Sequence, residues 1–283
     1  MKEFLPVSQD DLQSLAIDQL DFVFISGDAY VDHPSFAAAL LGRWLWKHGY
    51  TVGIIPQPDF KNVESFRVLG KPRLAFLVSA GAMDSMVSNY TANNKPRSED
   101  AYAHGGVAGH RPDRALITYV SKCREAYKGV PVLIGGIEAS LRRTTHYDYW
   151  SNKVKRSILL DSGADLISYG MGEKSILEIA DALNSGIGIR DITWIEGTVY
   201  RETWKENIQD ALWLPSYAEM TEDKRKYAES FGIQYKNTDP FSGKKLAEEY
   251  GRKLFVVQNP PAKPLSEEEM DAVYALPYCK TYH

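Results

Sequence analysis

Phe22-Val23-Phe24-Ile25-Ser26-Gly27-Asp28-Ala29-Tyr30-Val31-Asp32-His33-Pro34 joins an apolar run of strand length to a glycine, two aspartates and a proline able to open a helix. Phe36, Leu40, Leu41, Trp44 and Leu45 then recur at helical spacing until Gly49 stops them. Outward from this stretch the pattern repeats. Strands are expected at 51–55 and 73–78, with a short helix at 62–69 between them, which completes a βαβαβ half. A helix at 113–127 leads to a fourth strand at 130–134, and 165–169 reads as a fifth. The fold class expected is α/β: a flavodoxin-like (cobalamin-binding-like) parallel sheet of about five strands in the order 2-1-3-4-5.

Glycines and charged groups follow the fourth and fifth strands too. Val132-Leu133-Ile134 runs into Gly135-Gly136-Ile137-Glu138-Ala139-Ser140-Leu141-Arg142-Arg143, and Ile167-Ser168-Tyr169 into Gly170-Met171-Gly172-Glu173. A parallel sheet gathers such loops along the carboxyl edge of its strands, where ligands bind. On that ground Asp28, Asp32, His33, Ser79, Glu138, Arg142 and His146 are the substrate-facing candidates, and Gly135, Gly136, Gly170 and Gly172 the cofactor-binding ones. The glycines equally suit tight strand–helix packing. They form neither a Gly-x-Gly-x-x-Gly fingerprint nor a Gly-Lys-Ser/Thr phosphate loop.

Four of the six histidines (His33, His104, His110 and His146) fall in these loops beside Asp28, Asp32 and Asp148. Imidazole and carboxylate could assemble an acid–base or metal site, or could cap helices and bond loop backbone. No metal-binding helix spacing is present, so no metal ligands are assigned. The stretch 79–112 is long and polar, as functional covers and docking segments are.

The 283 residues carry a net charge of −4, which argues against a general nucleic-acid coat. A local patch of Arg142, Arg143, Lys153, Lys155 and Arg156, next to Thr145-His146-Tyr147-Asp148-Tyr149-Trp150, leaves a single-stranded nucleic-acid contact open, with a solvated face and core packing as the plainer readings. Cys123 and Cys279 are the only cysteines, so no disulfide framework is expected. No window reaches the ~20 apolar residues of a membrane span. A cytoplasmic location is expected.

After Gly188 the alternation weakens. Residues 192–195 and 198–200 read as a hairpin about Glu196-Gly197, 217–231 as a helix and 254–257 as a strand. Residues 1–187 are thus expected to form the Rossmann/flavodoxin-like domain, and 188–283 a mixed α/β extension and linker. Pro260-Pro261-Ala262-Lys263-Pro264 is stiff, and beyond it Leu265, Met270, Val273, Tyr274 and Leu276 make an apolar stripe expected to pack only partly on the domain.

At several of these segments the chain resembles the N-terminal region of the YgiQ-type radical SAM proteins. Gly27-Asp28-Ala29-Tyr30-Val31-Asp32-His33-Pro34-Ser35-Phe36, Val78-Ser79-Ala80-Gly81-Ala82-Met83-Asp84-Ser85-Met86-Val87 and Gly135 to Arg143 carry the likeness, with His146 to Trp150 and Tyr169 to Glu173 extending it. The resemblance implies a longer parent in which a radical SAM barrel follows the Leu276-Pro277-Tyr278 segment. That barrel's Cys-x-x-x-Cys-x-x-Cys motif would hold a [4Fe–4S] cluster and S-adenosylmethionine. Two distant cysteines cannot supply that set, so this chain is expected to hold neither. The parent's own barrel is the expected partner, and this chain its accessory or substrate-covering part. Cobalamin is not supported, because Asp32-His33-Pro34 lacks the Asp-x-His-x-x-Gly spacing. The alternatives are a stand-alone ligand- or RNA-binding α/β module and a metal-dependent hydrolase using the loop His and Asp residues.

Overall fold

The computed structural model describes residues 3–283, in two compact units: the first takes residues up to 138 together with 265–283, the second residues 139–264. The units do not divide at the expected 187/188 step. The chain leaves the first unit just after the fourth strand, and its last residues return there.

In the first unit, α1 (Gln9–Ser14) is closed by a capping box between Ser8 and Asp11. Then come β1 (Phe22–Ser26), α2 (Ala37–Lys47), β2 (Val52–Pro56), β3 (Ala75–Ser79), the short α3 (Ser85–Asn89), α4 (Ala115–Ala126) and β4 (Val132–Gly135). β1 pairs in parallel with β2 and β3, and β3 with β4, which gives the expected order 2-1-3-4. β1 and β3 are buried along their whole length, as an unbroken apolar run in a covered parallel sheet requires. The expected helix at 62–69 is only a 3-10 turn, Val63–Phe66, whose Phe66 packs against Tyr119 of α4.

The chain passes into the second unit within α5 (Gly136–Leu141), which runs on from β4, and there a hairpin of β5 (His146–Asp148) and β6 (Lys153–Lys155) precedes α6 (Ile158–Ser162). The expected fifth strand is β7 (Leu166–Ser168), followed by α7 (Glu173–Asn184). β7 pairs antiparallel with β8 (Thr198–Glu202). No hairpin forms about Glu196-Gly197. Residues 192–195 are irregular, and Gly197, at φ +75°, turns the chain into β8. Beyond β9 (Ala211–Trp213), the expected helix at 217–231 is two, α8 (Tyr217–Glu222) and α9 (Lys224–Lys236), because Asp223 leaves the helical conformation and caps α9 through Arg225 N. β10 (Lys245–Glu249) and β11 (Phe255–Gln258) are antiparallel to each other; β11 continues onto β8, and β10 pairs in parallel with the edge strand β9.

The tail helix α10 (Glu267–Tyr274) buries Val273, and the chain beyond it buries Leu276 and Tyr278, while Tyr274 stays exposed. The apolar stripe therefore docks on the first unit with one side only. The last residues run beside the loop after β1, where Asp32 N donates to Thr281 O at 2.9 Å and His283 N to Tyr30 O at 3.0 Å. Among the described residues no helix is long and apolar enough to cross a membrane.

The register places Ser26, Ser79 and Gly135 side by side at the carboxyl ends of β1, β3 and β4. Just beyond, the backbones come so close that a Cβ on Gly27 would lie 2.1 Å from Ala80 O. Gly27→Ala is therefore expected to destabilise the protein by about 3 kcal/mol or more, because backbone must move to admit a methyl group. Denaturant melts of the two proteins check this; an unchanged midpoint would contradict the packing described.

Candidate functional site

The residues expected to face a ligand divide between the two units: Asp28, Asp32, His33, Ser79, Glu138, Gly135 and Gly136 belong to the first, and Arg142, His146, Gly170 and Gly172 to the second. In the first unit the sheet edge is filled by the protein itself. Arg111, fully buried, reaches from the long 79–112 loop into the space beyond β1 and β3. Its Nη2 donates to Asp28 Oδ1 at 2.8 Å and Asp100 Oδ2 at 3.1 Å, and its Nη1 to the carbonyl of Ala80. Asp28 Oδ2 accepts from Ala82 N at 2.6 Å. Burial raises the Asp28 carboxyl above its ordinary value, against the pull of Arg111. Ser79 Oγ accepts from Gly81 N at 3.1 Å and lies 2.7 Å from where a Cβ on Gly136 would stand. Gly136, at φ +82°, is there for close packing.

Glu138 is a tertiary helix cap. Its Oε2 accepts from Ser85 N at 2.8 Å, at the start of α3, and its Oε1 from Leu116 N at 3.2 Å, at the start of α4. One buried carboxylate thus serves the positive ends of two helices. Asp32, fully buried, takes Arg43 Nε at 2.6 Å and Nη2 at 2.5 Å, together with Cys279 N at 2.6 Å. Burial would raise its carboxyl, but Arg43 and the Cys279 N–H outweigh that and hold it below the ordinary value. His33 is half-buried, and its Nδ1 accepts from Ser35 N at 3.2 Å, a local turn contact. His104 and His110 are exposed. Among the described residues no group of three or more His, Cys, Asp or Glu is placed to hold a metal ion.

Cys123 is wholly buried in α4, and burial pushes its thiol far up. Cys279 lies at the tail, where Arg43 Nη2 approaches its Sγ at 3.8 Å.

In the second unit Arg142 and His146 do come together. Arg142 Nη1 stands 3.5 Å from His146 Nε2 and 3.6 Å from Asp148 Oδ1. His146 Nδ1 lies 3.2 Å from the carbonyl of Thr144, a contact only an N–H can make. Nε2 is then left as the acceptor, facing Arg142. Burial first, and the Arg142 charge second, lower the His146 pKa, which favours the neutral ring. Gly170 N donates to Ser140 Oγ at 3.1 Å, which brings the loop after β7 against α5. Next to these residues in sequence, Leu141, Tyr147, Tyr149 and Met171 are all exposed large apolar side chains. Gly172 caps α7 with its backbone only.

Sequence reasoning missed Arg111, Arg43 and Glu248. Glu248, on β10, is buried without a cation: Thr145 N at 3.0 Å and Tyr250 OH at 2.9 Å donate to its Oε2, and Thr145 Oγ1 donates to Oε1. Burial outweighs those donors and pushes its pKa up to about 7. The one sequence signal was position: Leu246, Ala247 and Glu248 run together into a strand whose neighbour, β11, is apolar. A carboxyl raised from 4.5 in the unfolded chain binds more protons when folded. Its contribution is therefore complete below about pH 4.5 and is lost as the pH rises through about 7. Glu248→Gln is expected to remove a fall in stability on the order of 3 kcal/mol across that window. Denaturant melts from pH 4.5 to 8 check this, and parallel pH profiles for the two proteins would count against a raised Glu248.

The model of the radical SAM N-terminal family matches residues 4–283. A UPF0313 protein of Clostridium botulinum is 53% identical over 281 residues, covering 99% of this chain and 43% of its own length. A UPF0313 protein of Clostridium perfringens is 54% identical over 282 residues, covering 99% and 42%. A solved structure of the radical S-adenosylmethionine methyltransferase TsrM from Kitasatospora setae, with tryptophan substrate and a SAM analogue bound, aligns at TM-score 0.43 and 17% identity over 65% of this chain and 28% of that one. The chain belongs to the radical SAM N-terminal family, and it spans less than half the length of these curated relatives.

Proposed function

We propose that these 283 residues are the accessory part of a longer radical SAM iron–sulfur enzyme, and that they cover the barrel in which S-adenosylmethionine is cleaved. The observation that carries this reading is the pairing of a full-length family match with relatives more than twice as long. Family membership implies a [4Fe–4S] cluster and S-adenosylmethionine in the full-length protein. The donor set here does not fit that cluster: one of the two thiols is sealed and held protonated inside α4, and a second alone cannot stand for three. Radical initiation accordingly belongs to residues outside this chain, and no step of it is assigned to the side chains described.

The second unit offers the face suited to covering a partner. Leu141, Tyr147, Tyr149 and Met171 are exposed on segments joined by the Ser140–Gly170 and Arg142–His146 contacts. Exposed apolar side chains on segments held together in this way suit an interface, whereas scattered ones need no explanation. The neutral His146 beside Arg142 and Asp148 would then lie at the covered face, able to accept or pass a proton near a substrate. Arg142 and His146 were among the candidates read from the sequence; Asp28, Asp32, Ser79 and Glu138, whose polar atoms are taken up internally, are not assigned to the substrate.

The remainder of the C. botulinum relative, produced separately with its cluster reconstituted, should form a one-to-one complex with this chain in anaerobic sedimentation. Changing Leu141 and Met171 together to Glu is expected to weaken the complex at least tenfold with little change in thermal unfolding. Absence of association, or association indifferent to both substitutions, would remove the basis for the covering role.

A further inference from the structure

The β5–β6 hairpin, which carries His146, Tyr147 and Asp148, is tied to the sheet of the second unit at both of its feet. Thr145 stands immediately before β5, and Ser157 two residues after β6. Thr145 N donates to Glu248 Oε2 at 3.0 Å, and Ser157 N to Tyr250 OH at 3.2 Å. Glu248 lies on β10 and is 1% exposed, and Tyr250 follows the end of that strand. The ties from this region to α9, Thr144 Oγ1 to Gln234 Oε1 at 3.1 Å and Tyr147 N to Tyr227 OH at 3.0 Å, join neutral groups.

The number of hydrogens decides which form of the carboxyl fits these feet. Three oxygen–oxygen contacts close a ring: Glu248 Oε1 with Thr145 Oγ1, Thr145 Oγ1 with Tyr250 OH at 3.2 Å, and Tyr250 OH with Glu248 Oε2 at 2.9 Å. An ionised carboxylate only accepts, so Thr145 and Tyr250 both spend their hydrogens on it and the contact between them holds none. A neutral carboxyl supplies the missing hydrogen. Oε1 then donates to Thr145 Oγ1, Thr145 Oγ1 to Tyr250 OH, and Tyr250 OH to Oε2, while the N–H bonds of Thr145 and Ser157 are kept. Burial first, and Glu248 second, raise the Tyr250 hydroxyl well above its ordinary value, so its own proton stays in place.

The surroundings offer the ionised form no cation. β9 and β11, on either side of β10, contain no charged residue, and Tyr217 of α8 stacks on Tyr250 with ring centroids 5.7 Å apart. On the hairpin side, Arg142, His146 and Asp148 flank Thr145 in sequence, and Lys155 and Arg156 precede Ser157. None of these charges bears on the Glu248 carboxyl, which burial raises and the Thr145 and Tyr250 hydrogen bonds lower. Ionisation therefore leaves a buried charge unmatched, and that charge is relieved when the feet part and water enters. We propose that Glu248, Thr145 and Tyr250 form a proton-operated clasp on the β5–β6 hairpin, shut while the carboxyl is neutral and released from β10 when it ionises. The carboxyl is raised in the shut state, so the hold is complete below about pH 4.5 and is lost as the pH rises through about 7. The clasp requires nothing of the covering role proposed above.

The test is amide hydrogen exchange of the full chain, followed by NMR from about pH 5 to about pH 8 and corrected for the intrinsic pH dependence of exchange. Protection of the hairpin amides and of Thr145 and Ser157 should fall by about tenfold or more across that range, because each pH unit between the open and shut carboxyl values is worth about tenfold. At the upper end, their exchange should be insensitive to about 0.5 M urea, since a local opening exposes little surface and unfolding exposes much. Glu248→Gln, whose amide supplies the third hydrogen at every pH, should keep the protection seen at low pH throughout. Three results would each overturn the proposal: protection of the unaltered chain that is independent of pH, hairpin exchange as sensitive to urea as that of β8 and β11, and a fall with pH that persists in Glu248→Gln. The first two need no variant, so they decide the matter even if Glu248→Gln does not fold.

Discussion

A carboxylate with no water around it must be matched by charge and hydrogen bonds, or it destabilises the fold by several kcal/mol. Asp32 meets that requirement from three directions. Arg43 arrives from α2, Cys279 N from the tail, and the Asp32 backbone exchanges further bonds with Thr281 and Lys280. The same Arg43 reaches the Glu3 carbonyl. One ion pair thus ties the start of the described chain, the helix after β1 and its last residues into a single unit. It also explains why residues 265–283 belong with the first unit although 126 residues of the second intervene. Neither side chain could be shortened alone without leaving the other charge buried and unmatched.

A second buried cation decides what the sheet edge can do. The general rule puts ligands beyond the carboxyl ends of parallel strands, where loops diverge and helix N-termini point. Here Arg111 occupies that position between Asp28 and Asp100, and Glu138 takes the free N–H groups of α3 and α4. The groups that would greet a ligand already serve one another. The close approach of Gly27 to Ala80, and of Gly136 to Ser79, leaves no room for a ligand between the strands. The edge has become a packing surface; in the second unit Arg142 and His146 are half-buried and Asp148 is buried.

How much was legible follows from the range of each interaction. The strand order 2-1-3-4 was readable because apolar runs, glycine stops and helical spacing are local, and parallel pairing leaves few alternatives. Glu173–Asn184 could be read because Ile176, Ile179 and Ala180 share a face. The hairpin about Glu196-Gly197 failed because β8 finds β7 and β11 instead, partners that local alternation cannot name. Asp28, Asp32 and Glu138 were expected to face a substrate, and the internal partners they have could not be read locally: Arg111 lies 83 residues from Asp28 and Cys279 lies 247 from Asp32. An Arg before a proline in a glycine-rich loop gives no local sign of burial. Arg142 and His146, four residues apart, were close enough in sequence for their meeting to be anticipated.

The two units place their buried charges differently. The first unit seals its edge with buried pairs, and its cysteines are a helix-core thiol and a tail residue beside Arg43. The second unit leaves aromatic and aliphatic side chains exposed on the segments of a histidine whose pKa is lowered by burial first and by the Arg142 charge second. Burial and the Arg142 charge act on the imidazole in the same direction, so removing more water from it would lower its proton affinity further, whereas an anion that screened Arg142 would raise it.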